Sequence, residues 1–234
     1  MIQFILNFLF PNKCIICDSY ASQNKVCSEC WGNFSFITKP YCSLCSHPFA
    51  YDNDLEAICG ACIAKSPKYD KAISIFKYDH FSKKIIHKFK YQDQLHILDY
   101  LSGLMLNMGR EIIQNSDIII PVAMHKHKLL KRGYNQAALL AMRIASKQNI
   151  KYLPQAIIKT ENTIPQAGLE KKDRLKNIKS SFKINAKFTE EIKGKRILLV
   201  DDVITTGATI TECCKILKTA KPAKIFVLTL AKRV

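Results

Sequence analysis

Arg196-Ile-Leu-Leu-Val-Asp-Asp-Val-Ile-Thr-Thr-Gly-Ala-Thr-Ile210 is the stretch on which the fold of this chain turns. Its continuous apolar run, Ile197 to Val200, is what a strand buried on both faces of a parallel sheet requires. Two adjacent carboxylates, Asp201 and Asp202, follow at the carboxyl end. A hydroxyl-rich turn, Thr205-Thr206-Gly207-Ala208-Thr209, then leads into a helical pattern. Small residues let backbone amides crowd round an oxyanion, and the helix behind them contributes its positive end. The threonine hydroxyls add donors. A phosphorylated sugar suits this arrangement, with its phosphate in the turn and its hydroxyls on the acidic pair. The alternative is an ordinary strand–turn–helix unit whose aspartate caps the helix, but a cap needs one acid and no run of threonines.

The 234 residues allow one good core with a small appendage, or two domains. At 48% hydrophobic residues the chain is globular and not disordered. The net charge of +17 favours polyanionic partners, namely nucleic acid, an anionic membrane or phosphorylated ligands, unless it only solubilises the surface. No apolar run reaches the ~18–20 residues of a membrane span. Ile2–Phe10 is apolar but short, with no basic residues before it and no cleavage site after it, so it does not read as a signal peptide. It reads as a helix docked on its own domain, the alternative being a contact with a partner or a membrane surface. The chain is therefore expected to be cytoplasmic, with reduced thiols.

Of the ten cysteines, eight form four Cys-x-x-Cys pairs: Cys14/Cys17, Cys27/Cys30, Cys42/Cys45 and Cys59/Cys62. One such knuckle sets two thiolates on one edge of a tetrahedron, and two knuckles complete a Cys₄ zinc site. Sequential pairing of the knuckles gives tandem zinc ribbons; a cross-braced arrangement is the alternative. So small a segment has little core, and metal binding would supply most of its folding energy. His47 reads as a surface residue.

Residues 1–65 are expected to form the metal module, and residues 66–234 a second domain of alternating strands and helices. Strands are expected at Ala72–Tyr78, Asp117–Val122, Leu153–Lys159 and Lys224–Ala231, and helices at Ser82–Tyr91, Leu95–Gln114 and Ile210–Thr219. On the first helix Ile85, Ile86 and Phe89 face inward, and Lys83, Lys84, Lys88 and Lys90 outward. After the second strand a loop carries His125, Lys126, Lys128, Lys131 and Arg132 at the place where open α/β sheets bind ligands. A lysine-rich helix with Leu175, Ile178 and Phe182 as its buried stripe is expected near residue 175. Cys213 and Cys214, adjacent on a helix, do not suit a metal site.

The stretch around Asp201 closely resembles the phosphoribosyl-pyrophosphate (PRPP) signature of type I phosphoribosyltransferases, with Ala208 where many members have a second glycine. Taken with the cysteine knuckles, Arg132-Gly-Tyr-Asn-Gln136, Gln166-Ala-Gly-Leu, Arg174 and Asn177, nearly the whole chain resembles the ComF (ComFC) family of competence proteins. That resemblance implies a double zinc ribbon joined to a type I phosphoribosyltransferase-like parallel-sheet domain, and a role in natural transformation or the use of imported DNA. It implies that Asp201 and Asp202 hold ribose hydroxyls, directly or through Mg²⁺, as the catalytic acids. Thr205, Thr206, Gly207, Ala208 and Thr209 would take the 5′-phosphate, and the 125–132 loop the pyrophosphate. The region of Gln166, Arg174 and Asn177 would close over PRPP. Partners would be single-stranded DNA and the helicase-like protein of the ComF operon, at the cytoplasmic periphery of the inner membrane. No general base is legible, so turnover and its acceptor stay open. A second reading is a single-stranded DNA-binding module that keeps PRPP as a relic or sensor site, with basic residues at 83–90, 126–132 and 171–179 on phosphates and Trp31, Tyr91 and Tyr134 on bases.

Overall fold

The computed structural model describes residues 13–21, 26–51, 56–91, 96–160 and 181–234. Five strands form one parallel sheet in the order β1-β7-β6-β2-β3. They are β1 (Lys71–Lys77), β2 (Ile118–Pro121), β3 (Lys151–Tyr152), β6 (Arg196–Ile204) and β7 (Lys224–Lys232), so the quoted stretch lies at the centre. A two-stranded antiparallel ladder, β4 (Ile157–Lys159) with β5 (Phe182–Ile184), stands apart from the sheet.

The apolar run of β6 is continuous because alternate residues serve two cores. Leu198 and Val200 enter one cluster with Ile119, Leu228 and the inward faces of α3 (His80–Tyr91), α4 (His96–Met108) and α7 (Gln136–Gln148). Ile197 and Leu199 enter the other, with Ile118, Ile120, Val227, Ile192 of α8 (Thr189–Ile192) and α9 (Ala208–Thr219). Each of these side chains is fully or almost fully buried, which contributes about 1.5–3 kcal/mol per residue. Cys213 and Cys214 are buried thiols of the second cluster, on two directions of α9.

The expected helix over Leu95–Gln114 is two helices, α4 and α5 (Arg110–Gln114), divided at Gly109. A Cβ there would lie 2.6 Å from the carbonyl oxygen of Met105 and 2.8 Å from Leu228 Cδ1, so only glycine lets the chain turn against β7. Phe182, expected on a helix, is a buried residue of β5, where its pairing with Lys159 fixes it in a ladder. Leu175 and Ile178 lie outside the described residues, as do Ile2–Phe10. The expected strand over Leu153–Lys159 is confined to Ile157–Lys159.

The metal module carries two short helices, α1 (Ser28–Gly32) and α2 (Gly60–Ala64), and lies along the outer edge of β1. The amide of Ile37 donates to the Ile75 carbonyl (2.8 Å), Lys77 to Ser35 (2.8 Å) and Ala72 to Leu44 (2.8 Å). The buried hydroxyl of Ser46 accepts from the Ser74 amide (3.2 Å), and Ser74 Oγ meets Thr229 Oγ1 of β7 at 2.8 Å. Phe34 stacks on Phe76 (4.5 Å) and meets Phe81 edge-on (5.0 Å). Cys14, Ile15, Ile16, Val26, Cys30 and Phe34 belong to the same apolar cluster as Leu198. Lys232, the last residue of β7, donates to the carbonyl of Cys45 (2.6 Å). Among the described residues no helix is long and apolar enough to cross a membrane.

Candidate functional site

Asp201 and Asp202 sit within β6, two residues before its end, and the strand runs on to Ile204. One Asp201 carboxylate oxygen accepts from the Asp202 amide (2.9 Å). Asp202 forms an ion pair with Lys90, in the last turn of α3. Burial, and then the charge of Asp202, pushes Asp201 well above the ordinary carboxylate range; the Asp202 amide and Lys90 act against this. Burial would push Lys90 down, but the carboxylates of Asp202 and Asp201 outweigh it and hold its pKa above the ordinary lysine value.

Lys90, expected on the solvated face, is therefore one of the site's central charges. The signal was present in its spacing: Lys90 is four residues after Ile86, which places it beside the buried stripe of the helix. The segment Arg132-Gly-Tyr-Asn-Gln136 holds that helix end in place. Tyr134 donates its hydroxyl to the Phe89 carbonyl (2.7 Å), and Gln136 its amide to the Lys90 carbonyl (3.4 Å). Arg132 donates to Gln136 (3.0 Å), and Asn135 to the carbonyl of Val122 at the end of β2 (3.0 Å). The four polar side chains of this motif thus knit the end of α3 to the strand beside β6. Tyr134, a base-stacking candidate only in the second reading and otherwise a packing residue, is committed here, while Trp31 is 47% exposed and leans on Phe36 at 5.0 Å. The Tyr91 side chain lies outside the described ones.

Beyond β6, Gly207 adopts φ +72 at the N-cap of α9, a left-handed conformation that favours glycine. Thr206 Oγ1 accepts from the Ala208 amide (3.4 Å). Thr205 and Thr206 are exposed, and Gly207, Ala208 and Thr209 half-buried, round a small cleft of about 30 Å³ bounded by Val203–Ile210. The cleft lies at the N-terminal end of a twelve-residue helix, where the helix dipole is positive.

The expected loop after β2 is a short helix, α6 (Lys126–Arg132), capped by His125 at its start and by Gly133 (φ +82) at its end. Lys126, Lys128 and Lys131 stand exposed on it, and Arg132 turns back to Gln136. His125 is buried. Burial first, then His127, Lys126, Lys159 and Lys128, pushes its pKa down, so the ring is neutral. Lys159, at the end of β4, was not singled out in the sequence; burial and then Lys128 push its pKa down, opposed by Cys213 and Asp201. Gln166, Arg174 and Asn177 lie outside the described residues.

The cysteines form two sets, Cys14/Cys17/Cys27/Cys30 and Cys42/Cys45/Cys59/Cys62, whose sulfurs within each set all lie within 4.8 Å of one another. The pairing is sequential, not cross-braced. Tetrahedral zinc at a Zn–S distance of about 2.3 Å needs sulfurs about 3.8 Å apart, and Cys17–Cys27 (3.6 Å) and Cys45–Cys59 (3.7 Å) meet that. Amides of Cys27 and Cys59 point at the sulfurs of Cys14 (3.4 Å) and Cys42 (3.3 Å), which stabilises thiolates. Both sets fit zinc.

A double zinc ribbon followed by a phosphoribosyltransferase-type sheet is the class defined by this fold. The double zinc ribbon domain pattern matches residues 5–63 and the phosphoribosyl transferase domain pattern residues 90–234. The chain is 32% identical to competence protein F of Haemophilus influenzae over 235 residues, 97% of this chain and 100% of that one. It is 27% identical to the DNA utilization protein YhgH of Escherichia coli O6:H1 over 197 residues, 82% of this chain and 83% of that one. A purine phosphoribosyltransferase from Pyrococcus horikoshii overlays on 58% of this chain and 72% of its own at a TM-score of 0.37 and 20% identity. The chain belongs to the competence protein F family.

Proposed function

We propose that the protein binds PRPP with Mg²⁺ and serves the handling of imported DNA, from the cytoplasmic side of the membrane. The role in DNA use rests on the names of its relatives, competence protein F and DNA utilization protein. PRPP binding rests above all on the acid pair of the central strand, five residues ahead of a left-handed glycine that opens α9. Asp201 and Asp202 take the ribose hydroxyls, directly or through Mg²⁺, once Lys90 is displaced. Thr205–Thr209 take the 5′-phosphate, and His125, Lys126, Lys128 and Arg132 the pyrophosphate, with Gln166, Arg174 and Asn177 covering the ligand. A bound Mg²⁺ would neutralise the pyrophosphate. Residues 1–65 act as the metal-bound module and residues 66–234 as the ligand-binding domain.

The test is calorimetric titration of the zinc-loaded protein with PRPP and Mg²⁺, repeated on Asp201→Asn/Asp202→Asn. Binding by the wild type and loss in the double variant is expected; no binding by the wild type would overturn the proposal.

One observation favours a second role, on single-stranded DNA. A cleft of about 600 Å³ between Ile16 and α3 is lined by Tyr78, His80, Lys83, Lys84, His87 and Lys88 and ends at Lys90. Such a run of cations tracks phosphates, and binding through it falls steeply with salt. Lys83→Gln/Lys84→Gln is expected to weaken DNA binding; an unchanged affinity and salt slope would refute this role.

A further inference from the structure

The two cysteine sets differ in shelter. Cys42, Cys45, Cys59 and Cys62 are all buried, and Leu44, Phe49 and Tyr69 pack against them. In the first set Cys14 and Cys30 are buried, but Cys27 is half-buried and Cys17 is exposed. The two open members are also near neighbours, with their sulfurs 3.6 Å apart. The pair at the same positions of the second set, Cys45 and Cys59 at 3.7 Å, is buried at both ends. Oxidants select cysteine sulfurs by access, and an accessible one beside a second sulfur closes to a disulfide. Buried structural cysteines stay inert.

The sets also rest on different parts of the protein. The second lies on the sheet, through Ser46 on the Ser74 amide and Lys232 on the Cys45 carbonyl. The first leans on α3. Asp18, the neighbour of Cys17, pairs with Lys88 at 3.4 Å. Cys14, Ile16 and Cys30 share one apolar cluster with Ile85, Ile86 and Phe89. Phe34 meets Phe81 edge-on at 5.0 Å. The last turn of that helix carries Lys90, the cation on Asp202. The open metal site is thus the one that supports the helix of the acid pair.

We infer that the first cysteine set is a peroxide-responsive zinc site whose loss loosens α3, while the second set is structural. The Cys17 sulfur attacks one oxygen of a hydroperoxide. The O–O bond breaks, and the other oxygen leaves with the electron pair and takes a proton from water. The Cys27 sulfur then attacks the sulfenic acid formed at Cys17. An S–S bond forms, the S–O bond breaks, and the departing hydroxide takes a second proton. Two thiolates have lost two electrons, and the hydroperoxide has gained them. Cys14 and Cys30 are left two ligands short of a zinc site. This holds whether or not PRPP binds.

The zinc-loaded full chain is treated with hydrogen peroxide. A chromophoric chelator reads zinc release against a peroxide-free baseline, peptide mass spectrometry reads cysteine pairing, and amide hydrogen exchange reads α3 and β7. One of the two zinc ions is expected to leave, with a disulfide between Cys17 and Cys27. Its formation should be about tenfold or more faster than any oxidation in the second set. Exchange should rise across α3 and hold across β7, and dithiothreitol with zinc should restore both the metal and the protection. Retention of both ions, equal rates at the two sets, or a first disulfide among Cys42, Cys45, Cys59 and Cys62 would overturn the inference. So would release of one ion with unchanged exchange over α3, or a rise in exchange that includes β7.

Discussion

Replacing Lys90 by methionine keeps the length of the side chain and removes the cation paired with Asp202. The two partners are largely withdrawn from water, at 22% exposure for Lys90 and 15% for Asp202. At contact distance and an effective dielectric of about 20, the pair is worth roughly 4–5 kcal/mol of Coulomb energy. Removing one member of a buried pair costs about 3–5 kcal/mol, and residual solvent access to Asp202 argues for the lower end, about 3 kcal/mol. For a chain of this size that is a fall of about 6–12 °C in melting temperature. The decisive assay is a double-mutant cycle by urea unfolding with Lys90→Met, Asp202→Asn and both together. The coupling energy is expected at about 2–3 kcal/mol. Because Lys90 is raised above its ordinary value, the contribution is fully present at neutral pH and is lost only as pH rises beyond the ordinary lysine range. Single-variant effects that add to within about 0.5 kcal/mol would refute this account of the pair.

Asp201→Asn should stabilise the protein at pH 7 by about 1 kcal/mol, because the fold holds that carboxyl above its unfolded value, a penalty at any pH where the unfolded acid is charged; a lower melting temperature would contradict it. Asp117 is bound by Arg196 through Nη2 (2.8 Å) and Nε (3.1 Å) and held at about 2. Its contribution, about 1 kcal/mol after allowing for exposure, should be present above pH ~4 and vanish as pH falls toward about 2, so Asp117→Asn and wild type should converge in acid. Gly109→Ala places a methyl 2.6 Å from the Met105 carbonyl oxygen and should cost about 2 kcal/mol in urea unfolding; an unchanged midpoint would show that the turn relaxes freely. Cys42→Ser should lower the zinc content measured by atomic absorption from two ions per chain to one, since each set supplies four sulfurs to its own site.

What the sequence disclosed depended on how local the physics was. The apolar run with its two acids, the glycine turn and the paired knuckles each signal within a few residues, and the structure places them in the expected elements. Lys90 was hidden because its partner Asp202 lies far along the chain; only its spacing from Ile86 hinted at burial. Of the β4–β5 ladder only β4 was foreshadowed, by the strand expected to end at Lys159; β5 escaped because it is three residues long, with a lysine that masks its alternation. Strand order was illegible for the same reason as Lys90: β1 pairs with β7 through partners such as Lys71 and Phe226. Nothing in the spacing of the knuckles said that they would rest on β1.

That placement bears on the order in which the chain can fold as it is synthesised. Ser74 and Thr229 stand 155 positions apart, so at typical synthesis rates β1 waits roughly 10–30 s for its inner neighbour to emerge. A lone apolar strand in that interval is an invitation to other nascent chains. The knuckles, made first, can close on zinc and occupy the outer side of β1 as soon as it appears. Metal supply would then act as a timing signal: with zinc present the strand is half-satisfied while the rest is translated, and without it β1 meets the cell with both sides open.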